Sequence, residues 1–316
     1  LRRPGKKWVQ GFTRRIGCRA RRRAPLAKHT TLGVGGAAEL LAWLEDEESL
    51  LEARAYLDTL AVRWRILGMG SNVLVADAGL PGATLKLSGR LASLRLLENN
   101  RRGLVVEAGG GAGLQRLVSW AQKNGAGGLE GLWGIPATVG GAVKMNAGTR
   151  WGGVADRLLE VHLLSGKKIR WVPAGSLDLG YRCSGIGPRR VVVAARFRLQ
   201  KKDPRQVHKR IRQVQRARQA TQPSRVRSAG SFFKNPPRGA AGRLIERAGC
   251  KGMRVGRAFV SDKHANFIVH KGGASAEDIL RLSRRVARQV YRKFGVRLQR
   301  EVELWGRFGS GSGRKR

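Results

Sequence analysis

Acid is what this chain lacks most: 63 Lys and Arg face only 21 Asp and Glu, a formal charge of +42, and no acidic residue precedes Glu39. That balance directs attention to anionic partners: nucleic acid, anionic membranes or polyanionic small molecules. Cysteine is scarce too. Cys18, Cys183 and Cys250 form no CxxC pair and are odd in number, so a disulfide framework and a cysteine zinc site are both unexpected, and a reducing cytoplasm is the expected setting. No apolar run approaches the ~20 residues that span a bilayer. The basic N-terminal stretch has no apolar core of the signal-peptide kind and no serine of the transit-peptide kind. The five histidines, His29, His162, His208, His264 and His270, are scattered with no partner at a ligand spacing, so no metal is expected. A GxSxG elbow, a Walker loop and the dinucleotide fingerprint GxGxxG before a helix are all missing.

What is present is a globular composition, 41% hydrophobic with 44 glycines, which excludes a disordered chain and a coiled coil. The charge is uneven. KKDPRQVHKRIRQVQRARQATQPSRVR (201–227) holds ten Lys and Arg against Asp203 alone, and its 204–219 portion reads as a basic helix. In AEDILRLSRRVARQVYRKF (276–294), Ile279, Leu282, Val286 and Val290 share one helical face, and Arg281, Arg284, Arg285, Arg288 and Arg292 lie opposite. A solvated charged face is one reading of these helices and RNA contact the other. With Tyr291 the only Phe, Tyr or Trp set among these arginines, no nucleic-acid module is recognisable.

The periodicities predict a mixed α+β chain in about three parts. The first ordered segment is expected near TTLGVGGAAELLAWL, a strand, followed by the helix EDEESLLEARAYLDTL with acids in its first turn. Strand, Gly-rich turn and strands follow in VRWRILGMGSNVLVADAGLPGATLKL. A second part opens with a hairpin-like pair and the helix GLQRLVSWAQKNG, closed by Gly125. GLEGLWGIPATVGGAVKMNAGTRWGG is expected to be too broken for regular structure, and a β-meander follows. The third part holds SAGSFFKNPP, the helix AGRLIERAG, strands, the 276–294 helix and a last strand in VRLQREVELWG. The boundaries are a basic extension (1–27), two subdomains (28–92 and 93–202), a C-terminal domain (203–308) and a disordered basic tail (309–316).

Three stretches carry chemistry. ILGMGSNVLV sets Gly68, Gly70, Ser71 and Asn72 directly after a strand, where successive N–H groups and short polar side chains suit a phosphate. EAGGGAG (107–113) reads as structural. GIPATVGGAVKMNAG (134–148) alternates glycines with small apolar residues, a wall of bare backbone with N–H groups free for a planar ligand, or else a packed array of turns. Ser231, before the two phenylalanines of SAGSFFKNPP, reads as a turn residue.

In order along the chain, HTTLGVGG (29–36), LGMGSNVLV, GLEGLWGIPATVGGAVKMNAG, YRCS (181–184), AGSFFKNP, VSDKHANFIVH and REVELWG (300–306) closely resemble the UDP-N-acetylenolpyruvoylglucosamine reductases, over about residues 28–307. The short YRCSGIGPRR connection is similar to the family's compact subtype. The resemblance implies an FAD-binding fold of the vanillyl-alcohol-oxidase (PCMH) type in two α+β subdomains, plus a C-terminal α+β substrate domain. It implies non-covalent FAD, with Gly68, Met69, Gly70, Ser71 and Asn72 at the pyrophosphate and Ile135, Pro136, Thr138, Val139, Gly140 and Gly141 along the flavin. NADPH and UDP-N-acetylenolpyruvoylglucosamine are the implied substrates, in the cytoplasm, for peptidoglycan synthesis, by a monomer without membrane or required nucleic-acid partner. By the same resemblance Ser231 is the proton donor, Arg182 and Glu301 stabilise the intermediate, and Tyr181, Lys234 and Asn235 contact substrate. The phenylalanines and prolines after Ser231 are expected to frame it, and Cys183 to be a buried thiol. Two rival readings remain: a relative turned to RNA or ribosome binding, and an oxidase of alcohols or sugars on the same fold. Such oxidases often attach FAD through a histidine in a glycine-flanked motif, which is not found here.

Overall fold

The computed structural model describes residues 7–309. The first six residues of the basic extension, and all but Gly309 of the expected disordered tail, lie outside them. The order begins α1 (Lys7–Ile16), β1 (Ala20–Pro25), β2 (Ala37–Leu44), α2 (Glu47–Thr59), β3 (Trp64–Ile66), β4 (Val73–Val75) and β5 (Leu80–Leu87). It continues β6 (Leu94–Asn100), β7 (Gly103–Gly109), α3 (Leu114–Lys123), β8 (Ala126–Gly127), α4 (Val139–Lys144), β9 (Gly148–Thr149) and β10 (Gly152–Gly153). Next come β11 (Leu158–Ser165), β12 (Lys168–Pro173), β13 (Val191–Lys201), α5 (Pro204–Thr221), β14 (Arg227–Ser228) and α6 (Ala241–Arg247). Last are β15 (Arg254–Val255), β16 (Ala258–Val260), β17 (Ile268–His270), α7 (Ala276–Phe294) and β18 (Glu303–Trp305). The packing divides into two units. The first takes the chain up to Arg22, Leu40–Met69 and Gly82–Ala220; the second takes Arg23–Glu39, Gly70–Pro81 and the chain from Thr221.

Structure begins earlier than expected. The basic head contains α1, whose Trp8, Val9 and Phe12 are buried. Spaced i, i+1 and i+4, these fall on one helical face while Arg14 and Arg15 stay exposed. Phe12 meets Tyr56 of α2 edge to face at 6.0 Å, and the Tyr56 hydroxyl donates to the Trp8 carbonyl at 3.0 Å. Burying three such side chains contributes on the order of 5 kcal/mol, enough to order a helix within the basic extension. Helix α2 starts on a capping box: the Asp46 carboxylate accepts from the Ser49 N–H at 2.9 Å, and the Asp46 N–H donates to the Ser49 hydroxyl at 3.3 Å.

The first unit holds two cores. One lies with α1, α2 and the sheet ordered β1-β2-β5-β3, around Phe12, Leu40, Leu50 and Leu85. The other lies on the sheet β12-β11-β13-β7-β6, whose antiparallel registers set Ala195 against Ala108 and Phe197 against Val106. Alternating positions of β13 give Phe197 and Leu199 to this core beside Leu117 of α3 and Ile211 of α5. The expected meander is there as β11, β12 and β13. The Gly-dense segment is more regular than expected, because α4 forms inside it: Thr138 caps the helix by accepting from the Gly141 N–H at 3.3 Å, and Val139, Ala142 and Val143 are buried.

In the second unit, β14-β17-β16-β15 form a sheet against α7, and β18 pairs in parallel with β4, Glu303 opposite Val73. Helix α7 matches its periodicity: Ile279, Leu282, Val286 and Val290 are buried, a Ser275–Asp278 capping box opens it, and Gly295 at φ +67° closes it.

Candidate active site

The glycines of 109–113, read as structural from sequence, build the wall that 135–141 presents. After β7, the Gly110 N–H donates to the Val193 carbonyl at 2.6 Å, which fixes the run against β13. In return, Gly140 N–H donates to the Gly110 carbonyl and Val139 N–H to Ala112, both at 2.8 Å, and Leu114 N–H donates to Ala137 at 2.8 Å. A Cβ on Gly140 would stand 2.9 Å from the Gly110 oxygen, so the two backbones meet with no space for a side chain. The expectation of free N–H groups along this wall is corrected here. At 139, 140 and 141 they are consumed by Ala112, Gly110 and the Thr138 hydroxyl. What lies open is the surface at Pro136 and Gly141, both exposed.

Two side chains missed in the sequence hold the preceding loop. Gln115 of α3 donates to the Leu132 and Ile135 carbonyls, each at 3.1 Å, and accepts from the Gly134 N–H at 2.8 Å. Arg218 of α5 donates to the Gly134 carbonyl at 3.0 Å, and burial pushes its pKa down. Gly134 sits at φ +79°, where a larger residue would be strained.

The LGMGSN turn reaches the same wall. A Cβ on Gly68 would lie 2.7 Å from the Thr138 Oγ1, and Met69 is exposed. Lys86 of β5 donates to the Gly68 carbonyl at 2.6 Å. Among the described residues no carboxylate pairs with this ammonium, and burial lowers its pKa. A half-buried cation without an anion, beside a glycine turn, suits an incoming phosphate. The Ser71 hydroxyl makes no hydrogen bond among the described residues, and Gly70 takes φ +64°. Asn72 has a structural duty: its amide donates to the Glu301 carbonyl at 3.2 Å, and its own carbonyl accepts from the Glu303 N–H at 3.0 Å. Within the first unit, a cradle closed to side chains and a cation with no carboxylate partner among the described residues fit FAD.

Arg182 belongs to the first unit, at the tip of a turn closed by Gly180 N–H to the Cys183 carbonyl at 3.0 Å and Cys183 N–H to the Gly180 carbonyl at 3.1 Å. Its φ of +54° is left-handed, a strain that a non-glycine residue holds only under constraint. The constraint is visible: Nη1 donates to the Gly148 carbonyl at 3.0 Å, and the Asn146 amide donates to the Gly180 carbonyl at 2.9 Å. Arg182 thus stands by the segment that follows α4. Tyr181 is 57% exposed, its ring 5.4 Å from the Arg182 guanidinium carbon. Cys183 is exposed, not buried as expected, because the turn projects its side chain outward beside Tyr181.

Ser231 and Glu301 belong to the second unit, on paired segments. Glu301 N–H donates to the Phe232 carbonyl at 2.9 Å, Lys234 N–H to the Gln299 carbonyl at 2.8 Å, and Phe233 bridges Arg300. Phe232 and Phe233 are buried with rings 5.4 Å apart. The buried Asn266, another residue missed, grips them: its Oδ1 accepts from Phe233 N–H at 3.0 Å, its Nδ2 donates to the Phe233 carbonyl at 2.8 Å, and its carbonyl accepts from Phe232 N–H at 2.8 Å. The frame is therefore phenylalanines and asparagine. The prolines do not share in it: Pro237 is exposed and Pro236 half so. Among the described residues the half-buried Ser231 hydroxyl has no hydrogen-bond partner, and neither has the Lys234 ammonium. Asn235 accepts from the Ala241 N–H at 3.0 Å and so caps the start of α6. Among the described residues no group of three or more His, Cys, Asp and Glu could hold a metal, and no helix is long and apolar enough to cross a membrane.

This α+β scaffold, with its backbone-built wall and phosphate turn, is that of an FAD-binding flavoprotein; a family model described as "FAD binding domain" matches residues 38–167. A second, "UDP-N-acetylenolpyruvoylglucosamine reductase, C-terminal domain", matches residues 222–305. The chain belongs to the UDP-N-acetylenolpyruvoylglucosamine reductase family. It is 41% identical over 282 residues to the reductase of Geobacter sulfurreducens, covering 89% of this chain and 92% of that one. To the Thermus thermophilus reductase it is 43% identical over 283 residues, covering 90% and 98%. The crystal structure of the Thermus caldophilus reductase superposes with a TM-score of 0.79 at 41% identity, over 92% of this chain and 100% of that one.

Proposed function

We propose that this protein reduces the enolpyruvyl ether of UDP-N-acetylglucosamine to UDP-N-acetylmuramate, with NADPH as reductant, in the cytoplasm and as a monomer. Bound FAD supplies the chemistry of hydride transfer, from NADPH and on to the terminal vinyl carbon. Lys86 and Ser71, with the glycine turn, hold its pyrophosphate, and the 135–141 wall bears the flavin. Arg182 grips the substrate carboxylate with a permanently charged fork, and its hold strengthens as negative charge collects there. Glu301 shares with Arg182 in stabilising the intermediate. The hydride makes the terminal methylene a methyl group, and Ser231 delivers the proton to the carbon next to the carboxylate, which completes the lactyl ether. A hydroxyl is a weak acid in water and serves only when aimed at a strongly basic carbon. Lys234 pairs with substrate phosphate, and Tyr181 packs near the arginine it touches.

The observation that carries this reading is the Ser231 hydroxyl, unpartnered on a backbone clamped between Asn266 and the Glu301 segment. Purified protein is expected to be yellow, to be bleached by NADPH and to consume NADPH continuously once the enolpyruvyl nucleotide is added. A colourless protein, or bleaching with no turnover on that substrate, would sink the assignment.

A further inference from the structure

The excess of positive charge has no part in the chemistry above, yet the fold concentrates it. Helix α5 buries Val207, Ile211 and Val214 on one face and turns Arg218 inward to Gly134. Opposite them, Arg205, His208, Lys209, Arg212 and Arg216 are all exposed. At 100° per residue these five fall within one narrow stripe along the helix. With Lys123 at the end of α3 they line a concave groove of about 620 Å³ that contains no acidic side chain. Among the described residues none of the arginines or lysines of the groove pairs with a carboxylate. The one nearby acid, Asp203, spends an oxygen on the Arg205 N–H at 2.8 Å.

We propose that this groove binds the phosphate backbone of single-stranded RNA, independently of sequence. From Arg205 to Arg216 the stripe runs about 16 Å, room for a few nucleotides, at the small end of known single-strand sites. No Phe, Tyr or Trp lines the groove, so affinity comes mainly from the phosphates and base identity is not read. A membrane surface fits less well: the groove is concave, and none of the exposed large apolar residues, Leu60, Met69, Leu96, Leu97, Tyr181 and Tyr291, lies on α5 to enter lipid.

The test is fluorescence anisotropy of a labelled oligouridylate with the FAD-loaded protein across salt concentrations. Neutralising about three phosphates gives a slope of log K against log salt near −2, hence about 16-fold weaker binding at 200 than at 50 mM salt. Replacing Lys209, Arg212 and Arg216 together by Gln is expected to weaken binding at least tenfold and flatten the slope, with flavin absorbance and reductase activity unchanged. Arg281→Gln, Arg285→Gln and Arg288→Gln on α7 are the control and are expected to stay within twofold. Should the first triple variant lose its flavin, the single variants Arg212→Gln and Arg216→Gln are each expected to cut the slope by about 0.7. Unchanged affinity in the α5 variants, an equal loss in the α7 control, or binding to phosphatidylglycerol vesicles with none to the oligouridylate would overturn the proposal.

Discussion

The cofactor wall of the first unit and the Ser231 segment of the second are both rigid, by opposite means. Along the wall, small residues let backbone meet backbone, and the N–H groups of 137, 139, 140 and 141 are all spent inside the protein. Rigidity there needs nothing from side chains beyond Thr138, Gln115 and Arg218. Around Ser231 it comes from large and polar side chains, two buried phenylalanines and the buried Asn266, and the hydroxyl proposed as proton donor has no partner among the described residues. The surface proposed to lie against the flavin is made by removing side chains. The proposed proton donor is held by its neighbours.

The comparison can be broken most sharply at Ser231. Ser231→Ala is expected to cut turnover 10²–10⁴-fold while NADPH still bleaches the flavin, because the two half-reactions draw on different regions; stopped-flow absorbance separates them. Asn266→Ala leaves the Phe233 N–H and carbonyl without partners, so it is expected to cost about 2–5 kcal/mol of stability, read by thermal denaturation, and to slow turnover but not flavin reduction. Lys86→Met tests the cofactor side. FAD affinity is expected to fall about tenfold, measured by quenching of flavin fluorescence, with riboflavin binding unaffected because riboflavin carries no phosphate. The smallest effect belongs to a scaffold element outside both regions. Asp46→Ala is expected to cost about 1 kcal/mol at neutral pH. The Ser49 N–H holds the Asp46 carboxyl below its ordinary pKa, so this stabilisation is present above about pH 4 and fades as pH falls through the lowered value. Melting curves of the variant and the parent are expected to converge in acid.

Much of this was legible in the residues. The α2, α3 and α7 helices follow from periodicity and end signals, and the motif segments marked the turn, the wall, Arg182, Ser231 and Glu301. The misreadings share a cause. A run of basic residues concealed the apolar face of α1, since Trp8, Val9 and Phe12 signify only once Tyr56 is there to meet them. Glycine density masked α4, which is held by a cap and by bonds to Gly110 and Ala112 more than by its own propensity. Free cysteines are usually buried, but Cys183, in the turn strained around Arg182, is exposed.

By itself the sequence determined which segments form helices and strands, and which residues have the acidity, charge or smallness the chemistry calls for. These properties act within a few residues, through the helical and strand periods, the caps and the side-chain groups themselves. Only the tertiary structure decided which carbonyl each clamp would find. Asn266 meets Phe233 across 33 positions, Arg218 meets Gly134 across 84, and Asn72 meets Glu301 across 229. Such pairings leave no local pattern, because their energy is realised only when burial removes water as the competing partner.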